Sequence, residues 1–285
     1  AASDVYKRQM LVRLSCILFF SVGLTLPVSL SAQIQVASPS TYGMSAEGLG
    51  RATDRLQQHI DDGDIAGVTA AVVRDGVFVY FESLGLMDIE QNKSMRKDAL
   101  FRTYSMTRQI TTVGALILYQ EGEFEFDDPI QMYLPDFENQ SVLVDPQGTN
   151  MNQTKARVND ITVQHLITHT SGLGSRSSSL YRENRVRDKN FTLDQMVSNA
   201  AQIPLFQDPG TEFRYGIHAT ILGKLIEVWS GRPLREFLEE ELLSKLNMNS
   251  TMFWAAGDDQ DRLASLYRPV NGELNPYQIE DVPYT

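Results

Sequence analysis

At about 150 residues per domain, 285 residues make one large domain or two small ones. Hydrophobic residues are 42% of the chain and charged residues 21%, enough apolar material for a core, which excludes disordered, collagen-like and multi-span membrane classes. The 25 Lys and Arg against 36 Asp and Glu leave −11, the wrong sign for a phosphate-binding face, and a single cysteine, Cys16, excludes an internal disulfide or a Cys-rich zinc module.

Residues 1–9 (AASDVYKRQ) do not fit the head of an export signal and read as a non-native leader. Residues 10–32 read as a signal peptide. Arg13 supplies the positive head, Leu14 to Leu26 the apolar run, and Pro27 breaks the helix before the small residues Ser29, Ser31 and Ala32. Periplasmic or secreted localisation in a bacterium follows, with an uncleaved membrane anchor as the alternative. Removing residues 1–32 takes away three basic residues and one acidic residue, leaving 22 against 35 and no cysteine.

Residues 33–285 form the expected folded domain. Ser45 can cap a helix through Leu49, Leu56 and Ile60. GVTAAVV and VFVYFESLGL flank Arg74-Asp75-Gly76, which predicts a β-hairpin. A helical period begins after Ser105, through Ile110, Val113 and Leu116 to Leu118, and stops at Glu121-Gly122. FDDPIQMYLPDF is a connector, with Asp127-Asp128 as a turn. Residues 138–160 and 174–190 read as polar loops, and Thr162 caps a short helix that stops at Gly172. Helices are expected at 192–202, 217–230 and 233–246, with no evident terminal element. Two strands make a poor sheet, so the chain reads as C-terminally truncated, with partner strands beyond Thr285.

Ser105-Met106-Thr107-Arg108 is the chemical candidate. Residues three apart share a helix face, so a cation stands beside the serine hydroxyl, and the helix start favours negative charge on that oxygen. Many helices also begin with a capping serine, so this quartet alone is a weak signal. The string FRTYSMTRQITTVGALILYQEGEFEFDDPIQMYLPDF, followed by ITVQHLITHTSGL and by PGTEFRYGIHATILGKLIEVWSGRPLREFLEEELLSKLNMNSTMF, resembles the class C β-lactamase-related serine hydrolases. That family includes β-lactamases, DD-peptidases and esterases, and the resemblance runs over roughly residues 45 to 270.

The resemblance implies an α/β (α+β) fold of the β-lactamase/transpeptidase type. An antiparallel sheet, incomplete in this chain, would lie beside a helical domain. It implies Ser105 as the acylated nucleophile and Tyr215 as the residue that handles its proton. The family's first motif is Ser-x-x-Lys, and Arg108 stands at the lysine position. A guanidinium stays protonated and cannot act as a general base, but it can be a fixed charge that stabilises negative charge on the Tyr215 oxygen. Tyr215-Gly216-Ile217 lacks the amide of the family's Tyr-x-Asn, which ranks ester and D-amino-acid amide substrates above β-lactams. Ile217 and His218 are expected to line the substrate cleft. The oxyanion would be held by the Ser105 N–H and by an N–H of the third-motif strand, expected beyond Thr285.

No metal or organic cofactor is implied. His165 and His169 have metal-compatible spacing but no third ligand beside them, and they read as core or capping residues. His169-Thr170-Ser171-Gly172 imitates the third motif but follows a helix, and is assigned a structural role. The expected partner is a small-molecule ester or amide, with a peptidoglycan stem peptide among the candidates. No nucleic acid is expected, and a membrane only with an uncleaved leader. The alternative to an enzyme is a non-catalytic module that binds peptidoglycan or a partner through the same cleft, because Arg108 replaces the lysine.

Overall fold

A computed structural model describes residues 35–277 apart from 148, 149, 176, 187 and 189. The 1–9 leader and the 10–32 signal peptide therefore lie outside the described residues. The described residues divide into two units, residues 35–46 with 71–81 and residues 47–70 with 82–277.

Helix α1 (Ala46–Asp61) leads into β1 (Gly67–Arg74) and β2 (Val77–Asp88), with Lys93–Ser94 adding a short β3. The three strands form one sheet in the order β1-β2-β3. The hairpin turn is Asp75-Gly76, with φ of 51° and 76°. Two successive positive φ values match the twist of the flanking strands, which is why an Asp-Gly pair is found there. In the first unit the amide of Ala37 donates to the Phe78 carbonyl at 2.8 Å, and Val79 is buried.

In the second unit, α2 (Thr107–Glu121) ends at Gly122 in the left-handed conformation. Its buried residues, Thr111, Gly114, Ala115 and Leu118, follow a 3- and 4-residue spacing that makes one inward stripe. That stripe packs on α6 (His218–Ser230) and α7 (Leu234–Leu238), and α3 (Val163–Ile167) and α5 (Leu193–Ala201) pack on α6 in turn. Ile221, Leu225 and Ile226 on α6 have no exposed surface. Side chains buried to that extent contribute roughly 1.5–3 kcal/mol each, so α6 is the rod around which the helical layer is built. Thr162 caps α3 and Thr192 caps α5, each in a reciprocal box with the third helical residue, His165 and Gln195.

The structure corrects four sequence expectations. Residues 138–160 are not all exposed loop: β4 (Val142–Leu143) pairs with β5 (Thr154–Lys155), and Val142 and Leu143 are buried. Within 174–190 a short helix, α4 (Ser179–Glu183), buries Leu180 and Tyr181. Helix α3 ends at Ile167, and the residues up to Gly172 are used to turn the chain. The expectation of no terminal element also fails, because β6 (Tyr267–Val270) and β7 (Glu273–Pro276) form an antiparallel hairpin. The segment before it is tied to the segment leading to Ser105: Ala264 donates to the Leu100 carbonyl at 2.9 Å, and Leu100 donates to the Arg262 carbonyl at 2.7 Å.

Candidate active site

Ser105 lies in a 3-10 turn, Tyr104–Met106, that runs directly into α2. Tyr104 has φ of 44°, an uncommon conformation for a residue with a Cβ. Such a conformation costs on the order of 1–3 kcal/mol and persists only where surrounding structure enforces it. Here Leu100 on one side is hydrogen-bonded to Arg262 and Ala264, and the helix on the other begins at Thr107. The kink sets the chain into α2 and leaves Ser105 exposed at the head of that helix.

Arg108, one turn on, reaches a second segment. Its Nε donates to the Tyr215 hydroxyl at 2.7 Å, and its Nη1 donates to the Gly216 carbonyl at 3.0 Å. The guanidinium carbon is 4.2 Å from the Tyr215 ring centroid. A charge-assisted bond of this length is among the stronger ones a side chain makes, and it puts a permanent positive charge at the phenol oxygen. Tyr215 itself is 45% exposed.

The Tyr215 segment is placed by close backbone approach. A Cβ on Gly216 would lie 2.5 Å from the Gly174 carbonyl oxygen and 2.7 Å from that of Leu173, so only glycine fits. Ile217 donates to the Gly174 carbonyl at 3.1 Å, Phe206 to that of Gly172 at 2.8 Å, and Arg214 to that of His169 at 2.8 Å. The chain after α3 is thereby laced to the chain before α6, and His169 is brought to Tyr215. Their rings stack with centroids 5.1 Å apart and planes 26° apart. His169 Nδ1 is 3.0 Å from His218 Nδ1.

Both histidines are held below the usual imidazole range. Burial does most of this for His169, assisted by the Arg108 charge. For His218 burial comes first, then His169 and Arg108, against an opposing contribution from the Gly216 carbonyl, and the result is a pKa of about 3. At neutral pH both rings are uncharged, and Arg108 is the fixed cation of the cluster.

Of Ser105, Arg108 and Tyr215, named from sequence as the catalytic set, Arg108 is bonded directly to Tyr215, and Ser105 lies three residues before Arg108 at the head of α2. Ile217 and His218, named as cleft-lining residues, are 6% and 1% exposed. Ile217 packs in the apolar core, and His218 lies beneath His169. His169, to which the sequence gives only a structural role, is a direct neighbour of the tyrosine. Its positive φ of 59° is the local sign of that special placement. His165 accepts a bond from the Thr162 amide at 3.2 Å as the partner in the α3 capping box. Ser171 is fully buried, and its Oγ accepts from the Leu173 amide at 3.3 Å. Asp128 accepts from the Glu125 amide and the Tyr133 hydroxyl, closing the connector turn.

The family model described as Beta-lactamase matches residues 52–283. The chain is 29% identical over 252 residues to "Esterase EstB" of Burkholderia gladioli, a match covering 85% of this chain and 60% of that protein. It is 30% identical over 161 residues to "Acyltransferase mokF" of Monascus pilosus, covering 56% of this chain and 39% of that protein. Among solved structures, it is similar to "EstCE1, a hydrolase with promiscuous acyltransferase activity", with a TM-score of 0.70, 26% identity and coverage of 81% and 59%. It is also similar to simvastatin synthase (LovD) from Aspergillus terreus, with a TM-score of 0.67, 25% identity and coverage of 82% and 61%. The chain therefore spans between 39% and 60% of the length of these two curated relatives.

Proposed function

Because the chain belongs to the beta-lactamase family, we propose that it is a serine hydrolase that works through an acyl-enzyme on small esters, with transfer of the acyl group to an alcohol as a related outcome. The Arg108–Tyr215 bond, one helical turn from Ser105, carries this reading. Ser105 Oγ attacks the ester carbonyl carbon while its proton passes to the Tyr215 oxygen. The C–O bond to the leaving alcohol breaks, and the alcohol departs with that proton. Water or a second alcohol then attacks the acyl carbon, its proton passes by way of the Tyr215 oxygen to Ser105 Oγ, and the bond between the acyl carbon and Oγ breaks, which regenerates Ser105. Arg108 cannot take the proton; its guanidinium holds the Tyr215 oxygen in place at 2.7 Å. The names of the relatives, an esterase and acyltransferases, support the ester class over the β-lactam class. The leader at 10–32 supports export to the periplasm or exterior, where a peptidoglycan stem peptide is a candidate amide substrate.

A second reading is favoured by the same arginine. A guanidinium bonded to both Tyr215 and Gly216 could hold the cleft as a non-catalytic binding module. The two separate on kcat/KM for a short-chain p-nitrophenyl ester, measured on wild type against Ser105→Ala as background. The hydrolase reading predicts turnover well above background that Tyr215→Phe reduces by about 10²- to 10⁴-fold. Wild type indistinguishable from Ser105→Ala would retire the hydrolase for this substrate class and leave the binding module.

A further inference from the structure

We infer that His169, fixed by the buried His218 in a single tautomer, is the positioning residue that holds the Tyr215 ring in place beside Arg108. This rests on the reading of Tyr215 as the proton-handling group, and it assigns His169 a part that neither the serine quartet nor the tyrosine motif contains.

The tautomer follows from counting donors. At 3.0 Å the two Nδ1 atoms share one proton, so one imidazole donates and the other accepts. If His169 donated, His218 would carry its hydrogen on Nε2, an atom that is buried and has no partner among the described residues. An unsatisfied buried donor is costly. If His218 donates from Nδ1, that atom is satisfied, and the nearby Gly216 carbonyl favours a proton on this ring as well. The bare Nε2 lone pair of His218 then faces the core. His169 accordingly accepts at Nδ1, carries its own hydrogen on Nε2, and is held at both ends: by His218 through the ring and by the Arg214 amide through its carbonyl.

A ring so held makes a fixed wall. His169 stacks on Tyr215 on one side and meets the edge of Phe213 at 5.7 Å. Phe213 and Tyr215 are both substantially exposed, and among the described residues the ring contact and the hydrogen bond of the phenol are made with His169 and Arg108. Two fixed contacts, the stack at the ring and the guanidinium at the oxygen, define where the proton-handling oxygen sits. His169 does not itself need to touch substrate.

The left-handed backbone at position 169 supplies a clean variant. Asparagine tolerates that conformation, and its side-chain carbonyl can still accept from His218 Nδ1, so His169→Asn removes the stack and keeps the anchor. Its folding is checked by thermal unfolding. The expected result is a kcat for the p-nitrophenyl ester about tenfold or more below wild type, with KM changed less than about threefold, and an altered Tyr215 ring environment by NMR. His218→Asn, which retains a donor, should keep kcat within about threefold. Independently of turnover, ¹⁵N spectra of the imidazoles should show a protonated Nε2 on His169 and a protonated Nδ1 on His218. A folded His169→Asn with wild-type kcat and unchanged Tyr215 resonances, or a His169 protonated at Nδ1, would overturn the inference. If wild type shows no Ser105-dependent turnover, the hydrolase reading fails alone, and the tautomer and ring-resonance measurements still decide the role of His169.

Discussion

Arg108 concentrates the chemistry of this site in one substitution. The lysine it replaces could serve as both proton acceptor and positive charge, and arginine keeps only the charge. If Tyr215 handles the proton, Arg108→Lys should leave ester kcat/KM within about tenfold of wild type, because a cation still faces the phenol. Arg108→Gln should lower it by about 10²- to 10³-fold, the range for loss of one group that stabilises developing charge. A rise of two orders of magnitude or more in Arg108→Lys would mean that the missing proton acceptor is limiting instead. The histidines make a separate prediction through stability. The His218 pKa of about 3 in the fold lies below the 6.5 of an unperturbed imidazole, so below pH 6.5 the unfolded chain binds a proton that the folded one does not. Stability is therefore intact above pH 6.5 and falls as pH falls toward 3, by at most about 1.4 kcal/mol per pH unit. Between pH 6.5 and 5.5 wild type should lose roughly 1 kcal/mol more than His218→Asn, measured by denaturant unfolding. Equal losses would show that His218 is not neutral in the fold.

The elements differ in how legible they were, and the reasons are physical. Helix α2 and the β1–β2 hairpin were visible because their signals are local: a 3.6-residue apolar period in one, an Asp-Gly turn in the other. The β6–β7 hairpin carries an equally strong turn, Asn271-Gly272, with φ of 53° and 84°. It was missed because its arms read YRPV and ELNP, with a proline in each and little alternation. Strands β4 and β5 have two residues each, too short for any period to show. The contact between His169 and Tyr215 spans 46 positions, and nothing in the spacing of either motif encodes it. The serine, the arginine and the tyrosine were legible through the family pattern. The histidine that braces the tyrosine was not. At this scale the caps are testable: Thr162→Ala should cost about 1 kcal/mol by losing the side-chain acceptor for the His165 amide. A loss under a few tenths of a kcal/mol would mean that α3 is held by its flanks alone.

In the second unit the apolar core and the candidate site share α2 and α6. Ser105 and Arg108 sit at the head of one helix and Tyr215 just before the other, and the two pack through Ala115, Leu118, Ile221 and Leu225. Site geometry should therefore depend on a core that never touches substrate. Leu225→Ala, at a position with no exposure, should cost about 2–5 kcal/mol in a denaturant titration, and its folded fraction should also show reduced ester turnover. The proposed chemistry requires one side chain, Ser105, to become acylated. Treating the full chain with a fluorophosphonate ester and weighing the intact protein tests this most directly. A single adduct, mapped to the peptide carrying Ser105 and absent from Ser105→Ala, is the predicted result. An adduct that persists in Ser105→Ala, or a wild-type protein that stays unlabelled, would contradict it.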